Sequence, residues 1–436
     1  MTTTAVDAVF RAIDASAEGA VDLLRALIRR QPEGEKAVQS LVSERLAAIG
    51  GEVQTLRYQP RDVPVIDEFA TAQAADDGER ESVVAAFAAE PGTSGRSLLL
   101  FAHPDAEPTA TAADWTVPPF AGEERDGHIH GWGVADDLAG VATAIAALEA
   151  VQAAGLRLAG AVTVASTPSK RHARGIAAVL HHGAHADAAL YLHPAESGAG
   201  LHEIKAMASG QLEFTVTVRG RRPQTSEPGH TAFSHLAINP LDKANILIAA
   251  LYRLAAERAA RVRHPLLEAA VGRATNIMIS SLQFGGGVPS QLAETLTFGG
   301  AVSFPPGETM ETVQAELAAA IATAAAADPW LAQNPPELCW LAGVSASEVG
   351  ESHPFYQTVA GAVATVCGYA PHINAMHTSS DVRNPMVQKA IPTLGLGPLC
   401  GGLTHSGGIN EWVDRDDYIR AVKVAAATII AWCGVA

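Results

Sequence analysis

The side chains best suited to chemistry follow a short apolar run from Ser97 to Phe101. This run predicts a buried strand, and His103 and Asp105 come directly after it. Open α/β sheets place their ligand sites just past the carboxyl ends of strands, so the position favours a functional role. An imidazole and a carboxylate together suit zinc or manganese. Taken alone, His103 could be an ordinary loop histidine, but the His-x-Asp spacing after a strand makes that the weaker interpretation.

A second segment, residues 131–137, has the sequence Gly-Trp-Gly-Val-Ala-Asp-Asp and so ends in Asp136 and Asp137. An Ala-rich stretch follows and predicts a helix from about Leu138 to Ala154. Asp136 could therefore be the N-cap of that helix, a structural role that is compatible with binding a metal ion.

Together with three further segments, these two resemble a known family. The further segments are His230 with Asn239 nine positions later, residues 380–383 and residues 405–413. The chain resembles the metallohydrolase family of carnosinases, aminoacylases, carboxypeptidase G and succinyl-diaminopimelate desuccinylases over nearly its whole length. The resemblance implies metal-activated water that hydrolyses a carbon–nitrogen bond, and two metal ions bridged by one carboxylate.

The resemblance also implies roles for individual side chains. It assigns the bridging carboxylate to Asp136 and two histidine ligands to His103 and His405, with Asp105 orienting His103. A carboxylate that fixes the tautomer of a ligating histidine is a common feature of metal sites.

The chain departs from the family at three of its expected site positions. Ser169 and Lys170 stand where the family has two glutamates, a general base and a metal ligand. An ammonium repels a cation unless its pKa falls sharply. His193 stands where the family has an acidic ligand, and histidine can replace that ligand directly. We therefore expect one ion, zinc or manganese, held by His103, Asp136 and His193.

Each of these three replacements also has a structural interpretation. His193 could be packed in the core at a strand end, Lys170 could be a surface charge, and Ser169 could be a polar turn residue. If Lys170 lies in the site, it can occupy the place of the missing cation and supply its charge.

The missing glutamate leaves the general base to another side chain. Glu196 is the nearest acidic candidate, with His172 and His377 as alternatives, and His377 is also a candidate for substrate contact.

Three further side chains are candidates for contact with substrate. By resemblance, His230 stabilises the developing oxyanion, often across a dimer interface, and Asn239 lies near it; an exposed loop histidine is the alternative. Arg383 could bind a substrate carboxylate, or form a structural ion pair with Asp381.

The order of the predicted elements indicates an α/β fold with two domains. Two N-terminal helices precede alternating strands and helices, which predict a catalytic domain with a mixed central sheet over residues 1–208 and 346–436. Residues 209–345 read strand, helix, strand, strand, helix, strand, which predicts an inserted ferredoxin-like lid or dimerisation domain.

Composition narrows the class of partner. The chain has 436 residues and a formal net charge of -16, which disfavours nucleic acid and anionic membranes and leaves a small-molecule substrate. The four cysteines lack metal or disulfide spacing, and the N-terminus lacks a signal pattern, so we expect a cytoplasmic protein with reduced thiols. Family resemblance and His230 favour a homodimer or a larger homo-oligomer.

Three functions are consistent with these residues. The first is hydrolysis of an amide or peptide bond. The second is displacement of an amino group from an aromatic ring, as in nitroanthranilate hydrolysis, for which a site with one metal ion and no glutamate pair would be suited. The third is a degenerate binding protein without catalysis, against which the retention of His103, Asp136, His230 and His405 argues.

Overall fold

The computed structural model describes residues 3–71, 78–106, 112–194, 197–227, 230–285, 291–376, 380–402 and 408–436. The helices are α1 (Thr3–Ala15), α2 (Ala17–Arg30), α3 (Glu35–Ala48), α4 (Ala139–Ala153), α5 (Gly175–His181), α6 (Pro240–Arg261), α7 (Pro265–Val271), α8 (Met310–Ala326), α9 (Pro354–Cys367), α10 (Arg383–Lys389) and α11 (Arg415–Cys433). The strands are β1 (Glu52–Tyr58), β2 (Glu68–Ala70), β3 (Arg80–Phe87), β4 (Leu98–Ala102), β5 (Glu124–Arg125), β6 (His128–His130), β7 (Val162–Ser166), β8 (Ala188–Tyr191), β9 (Glu203–Ile204), β10 (Met207–Ala208), β11 (Gly210–Arg219), β12 (Asn276–Phe284), β13 (Thr295–Phe304), β14 (Glu337–Val344), β15 (Ser347–Glu348), β16 (His372–Ile373), β17 (Thr393–Gly395), β18 (Cys400–Gly401) and β19 (Trp412–Asp414).

The catalytic domain is built on a six-stranded sheet in the order β1-β3-β7-β4-β8-β17. Strands β7, β4, β8 and β17 run parallel, while β3 pairs antiparallel with both β1 and β7. The sheet is therefore mixed, as predicted. Every residue of β4 is buried, which explains its unbroken apolar run. The carboxyl ends of β4, β7 and β8 meet at one edge of this sheet, where the predicted site residues follow them.

Helix α4 is buried along most of its length and packs against α1, α2, α11 and β4. Its sequence is mostly alanine, and small side chains let a helix approach its neighbours closely on several sides. This packing holds the segment that carries Asp136 against the edge of the sheet.

The second domain is the predicted insertion. Strands β12-β13-β11-β14 form an antiparallel sheet, and α6 and α8 connect its strands in the order β11, α6, β12, β13, α8, β14. The βαββαβ order confirms the ferredoxin-like prediction. Buried apolar residues of α6 and α8 pack on one face of the sheet and form a core of their own.

A fifth strand of this sheet comes from the N-terminal part of the chain. Strand β2 pairs antiparallel with β14, so that Glu68 lies opposite Val344. Residues 68–70 belong to the predicted catalytic segment of the chain but join the sheet of the insertion. Near this point the chain passes between the domains, and β10 pairs there with β15. No helix in the described residues is long and apolar enough to cross a membrane.

Candidate active site

His103 lies at the carboxyl end of β4 and is completely buried. Its Nδ1 is 2.6 Å from the carbonyl oxygen of Thr167, which follows β7. A carbonyl oxygen can only accept, so Nδ1 carries the hydrogen. The other ring nitrogen, Nε2, has no hydrogen-bond partner in the described part of the chain and lies 3.4 Å from Asp381 Oδ2.

Asp105 has contacts different from those predicted for it. Its carboxylate accepts hydrogen bonds from the backbone amides of Ser169 and Lys170, at 2.9 to 3.1 Å. The carbonyl of Thr167, rather than Asp105, holds the ring of His103. Asp105 instead fixes the loop that carries Lys170 into the site, because exposed backbone amides at a turn bind a carboxylate well.

Asp136 forms the centre of a second group of side chains. Its Oδ2 is 2.5 Å from Lys170 Nζ, and its Oδ1 is 3.1 Å from His193 Nε2. The fully buried carboxylate of Glu411 accepts the amides of Ala135 and Asp136 and so holds this segment in place. The structure thus brings three of the predicted site residues, Asp136, Lys170 and His193, into direct contact.

The Lys170 side chain carries a positive charge at the site. Burial alone would lower its pKa, but the charges of Asp136 and Asp105 outweigh burial and raise the pKa above its usual value. Lys170 therefore stays an ammonium and cannot act as a metal ligand. The surface-charge interpretation is wrong, because only 13% of the side chain is exposed and its nitrogen binds Asp136.

Lys205 is a member of the site that the sequence analysis did not identify. It is 1% exposed, and its Nζ lies 2.5 Å from Nδ1 of His193. The same Nδ1 lies 2.9 Å from the carbonyl oxygen of Pro194, so this ring nitrogen has two neighbours, while Nε2 is the nitrogen beside Asp136. A basic residue inside the apolar stretch 204–208 was the signal that could have revealed it.

Asp137 follows Asp136 and is fully buried. Burial and the neighbouring charge of Asp136 raise its pKa well above the usual value for a carboxyl group. Its Oδ2 accepts the backbone amide of His103 at 3.3 Å. This bond connects the segment of Asp136 with the end of β4.

The described residues offer a place for a divalent ion at the His103 end of the site. Within the described ranges, no three His, Cys, Asp or Glu side chains are arranged so that they could hold one metal ion. The predicted ligands His103, Asp136 and His193 nevertheless lie near one another, since His193 Nε2 is 3.1 Å from Asp136 Oδ1 and the rings of His103 and His193 are 6.4 Å apart. The assignment of one ion to this set stays a prediction. Two lysine side chains add positive charge beside this group: Lys170 Nζ contacts Asp136, and Lys205 Nζ contacts Nδ1 of His193, while His193 Nε2 lies beside Asp136. The buried Nε2 of His103 beside a carboxylate does suit a cation.

Arg383 begins α10 and is 3% exposed. Its Nη2 forms an ion pair with Glu68 of β2, so its structural partner is Glu68 and not Asp381. Its Nε and Nη1 have no hydrogen-bond partner among the described residues. A buried guanidinium with unused donors suits a ligand that supplies acceptors.

Glu68 connects the sheet of the insertion with the active site. Besides Arg383, its carboxylate contacts Arg174 at 3.2 Å and His172 at 3.8 Å. Burial alone would raise its pKa, but the contact with His172 and the charges of Arg383 and Arg174 lower the pKa from 4.5 to about 2.

The lowered pKa of Glu68 predicts a loss of stability in acid. The shift corresponds to about 3 kcal/mol of unfolding free energy, which is present above pH about 4.5 and lost as the pH falls toward about 2. Glu68→Gln should therefore lower the unfolding free energy at pH 7 by about this amount, and its difference from the wild type should narrow below pH about 4.5. Urea denaturation at several pH values measures this difference.

Glu18→Gln is the control for this prediction. It removes an ion-paired carboxylate that is 72% exposed, so it should change the unfolding free energy little. If Glu68→Gln is less stable than the wild type by the same unfolding free energy at pH 3 and at pH 7, the lowered pKa of Glu68 is contradicted.

His230 and Asn239 lie in the inserted domain and cap helical segments. His230 is exposed, and its Nδ1 accepts the amide of Ala232 at 3.0 Å. Asn239 is the N-cap of α6, and its side chain accepts the amide of Leu241 at 3.0 Å. Each of these two hydrogen bonds joins residues that are two positions apart in the sequence. Their predicted roles toward substrate stay predictions.

Three predicted site residues, Glu196, His377 and His405, lie outside the described residues. The predictions of a general base at Glu196, a substrate contact at His377 and a metal ligand at His405 therefore stay predictions.

Comparison with known proteins identifies the family to which this fold belongs. The model of the peptidase family M20/M25/M40 matches residues 99–431, most of the chain. The chain belongs to this peptidase family. The family resemblance found in the sequence is confirmed, and with it the expectation of a metal-dependent hydrolase that acts on carbon–nitrogen bonds.

Individual M20-family relatives are distant. An N-formyl-4-amino-5-aminomethyl-2-methylpyrimidine deformylase of Halalkalibacterium halodurans is 25% identical over 81% of this chain and 83% of its own length. A succinyl-diaminopimelate desuccinylase of Phenylobacterium zucineum is 24% identical over 94% of this chain and 97% of its own length. The solved structure of the M20 metallo-carboxypeptidase Sso-CP2 of Sulfolobus solfataricus matches with a TM-score of 0.70, 12% identity and coverage of 95% and 98%. The fold is shared, while low identity fits a divergent member.

Proposed function

We propose that this M20-family chain hydrolyses the amide bond of a small acylated amine that carries a carboxylate, with one zinc or manganese ion per subunit. Two donors of the buried Arg383, Nε and Nη1, have no partner among the described residues, and they carry this proposal. A buried cation of this kind selects substrates by charge, because a substrate without the carboxylate leaves its donors unpaired. The names of the two curated relatives, a deformylase and a desuccinylase, support removal of an acyl group from an amine.

In this proposal, His103 binds the metal ion and Lys170 stabilises negative charge. His103 would hold the ion, which lowers the pKa of bound water and polarises the amide carbonyl. Lys170 supplies the positive charge that a second ion gives in relatives with two metal ions, and it keeps Asp136 in place. Asp105 holds the backbone of Lys170, and Glu411 holds that of Asp136. These contacts keep the charged groups in fixed positions around the substrate.

His230 is suited to stabilising an oxyanion of a neighbouring subunit. Because its Nδ1 accepts a backbone amide, the neutral ring carries its hydrogen on Nε2. The side chain is exposed, so this donor can point to a second copy of the chain. The proposed assembly is a homodimer formed through the inserted domain. The four free cysteines support a reducing compartment, for which we propose the cytoplasm.

The dimer proposal predicts that a charge on β12 separates the subunits. This strand forms the edge of its sheet and exposes Met278, Leu282 and Phe284 by 55%, 50% and 36%. An apolar edge strand pairs readily with another chain. Leu282→Lys should therefore shift the wild-type dimer to a monomer in size-exclusion chromatography with light scattering. Val271→Lys, at an apolar residue that is 53% exposed on α7, is the matched control and should stay dimeric. A wild-type monomer, or a dimer that Leu282→Lys leaves intact, would contradict this interface.

A substrate panel tests the reaction itself. The metal-loaded enzyme is incubated with N-formyl, N-acetyl and N-succinyl amino acids, with dipeptides and with the matching carboxamides, and the released amine is measured. We expect release from the carboxylates and little from the carboxamides. Ammonia from a nitroanthranilate with no amide turnover would favour the aromatic amine reaction. Turnover of neither class, with no bound metal, would favour a binding protein.

A further inference from the structure

One buried atom at the site is left unexplained by the contacts among the described residues. The Nε2 of His103 is inaccessible to solvent and has no hydrogen-bond partner there. Native structures seldom leave such an atom unsatisfied, because its desolvation is not compensated. We propose that Asp381 is a direct ligand of the ion held by His103 and supplies the acidic ligand that this ion loses where His193 replaces the family's acidic residue. The proposal rests on the single-ion site proposed above.

The protonation of His103 leaves Nε2 available for a metal ion. Since Nδ1 donates to the carbonyl of Thr167, the neutral ring keeps a lone pair on Nε2. A carbonyl that accepts from Nδ1 is the usual partner of a ligating histidine, and it fixes the orientation of the ring. The lone pair points into the protein, where the Asp381 carboxylate faces it.

The separation of the two atoms is that of neighbouring ligands. His103 Nε2 and Asp381 Oδ2 are 3.4 Å apart, longer than an ordinary N–H···O hydrogen bond. Two bonds of about 2.1 Å at a tetrahedral angle place their ligand atoms about 3.4 Å apart. The gap therefore has the width that an ion bound to both atoms requires.

The Asp381 carboxylate is held so that one oxygen faces the histidine. Its Oδ1 accepts the side-chain amide of Asn384 at 2.7 Å, while Oδ2 faces His103. Asp136 is less suited to this role, because Lys170 and His193 contact its two oxygens. A cation bound to His103 needs an anionic ligand, and Asp381 supplies it.

Metal binding by the full chain tests the proposal without a substrate. Equilibrium dialysis against Zn²⁺ or Mn²⁺, followed by elemental analysis, should give one ion per wild-type chain. Asp381→Asn should weaken binding by at least about a hundredfold, more than the loss of an outer partner costs. Asp417→Asn is the matched control, because Asp417 is also buried but binds the amide of Leu399 and lies on α11. It should bind the ion as the wild type does.

A cobalt spectrum identifies the ligand directly. With Co²⁺, Asp381→Cys should show a thiolate-to-cobalt charge-transfer absorption, and Ser380→Cys should not. This spectrum also decides the question if Asp381→Asn does not fold. Binding by folded Asp381→Asn within a hundredfold of the wild type, or folded Asp381→Cys without the absorption, overturns the proposal. Either result leaves amide hydrolysis to be judged by the substrate panel, so the two proposals can fail separately.

Discussion

Lys170→Met is expected to destabilise the chain by about 3–5 kcal/mol and to lower turnover about a hundredfold or more. The reason is that Lys170 and Asp136 form a buried ion pair, with side chains 13% and 8% exposed. Removing the ammonium takes the cationic partner away from the buried Asp136 carboxylate, which His193 still contacts, and removes the positive charge of Lys170 from the site. Urea denaturation measures the first effect, and the rate of amide hydrolysis measures the second.

The same position predicts a metal-dependent rescue. Lys170→Glu places another acidic group beside Asp136 and Asp105, so the variant should be unstable without metal. Divalent ions should restore its stability by about 4 kcal/mol at a thousandfold excess over the dissociation constant, and its metal content should rise from one ion to two. Wild-type stability should not need this second ion.

Lys243→Met provides the matched control for both variants. Lys243 forms an ion pair of 2.7 Å with Asp328, and this pair lies in the inserted domain. The control should keep normal turnover and metal content. If Lys170→Met behaves like Lys243→Met, the ammonium has no role in the reaction. If Lys170→Glu binds no additional ion, the proposal that Lys170 supplies the charge of a second metal ion is wrong.

Arg383→Met is expected to lower kcat/KM for a carboxylate substrate about a thousandfold and to abolish the preference over the matching carboxamide. The wild-type guanidinium is buried and has two donors without a partner in the described part of the chain, so a substrate that supplies acceptors is favoured. Arg383→Lys should recover only part of the loss, because an ammonium lacks the planar fork of donors. Steady-state kinetics on the acid and the carboxamide measure both effects.

Arg174→Met separates substrate recognition from stability. Arg174 also binds Glu68, at 3.2 Å, so its removal weakens the same ion cluster without removing the donors of Arg383. It should lower stability but keep the preference for the carboxylate. If Arg174→Met and Arg383→Met lose the preference for the carboxylate substrate equally, the ion cluster around Glu68 affects the reaction only by stabilising the fold.

Much of the fold could be predicted because it depends on local periodicity. The apolar run of β4, the Ala-rich α4 and the βαββαβ order of the insertion are each encoded by neighbouring residues. The strand added by β2 could not be found this way. Three residues are too few to show the alternation that predicts a strand, and the partner strand β14 lies far along the chain.

The sequence by itself determined the family and the two-domain α/β fold, and it placed His103 at the edge of the sheet, just past a strand end, while Lys170 and His193 stayed open between site and structural roles. The fold and the place of His103 follow from local patterns, since open α/β sheets place their ligand sites just past the carboxyl ends of strands. Only the tertiary structure decided their partners. It placed Lys205 against His193, Glu68 against Arg383 and the Asp381 carboxylate opposite His103.

The physical reason is that these contacts depend on the packing of distant segments, which sequence spacing does not encode. A buried charge is tolerated where a partner or ligand compensates it, and that partner is defined by position in space. The sequence therefore revealed which residues differ from the family, and the tertiary structure showed which charges surround them.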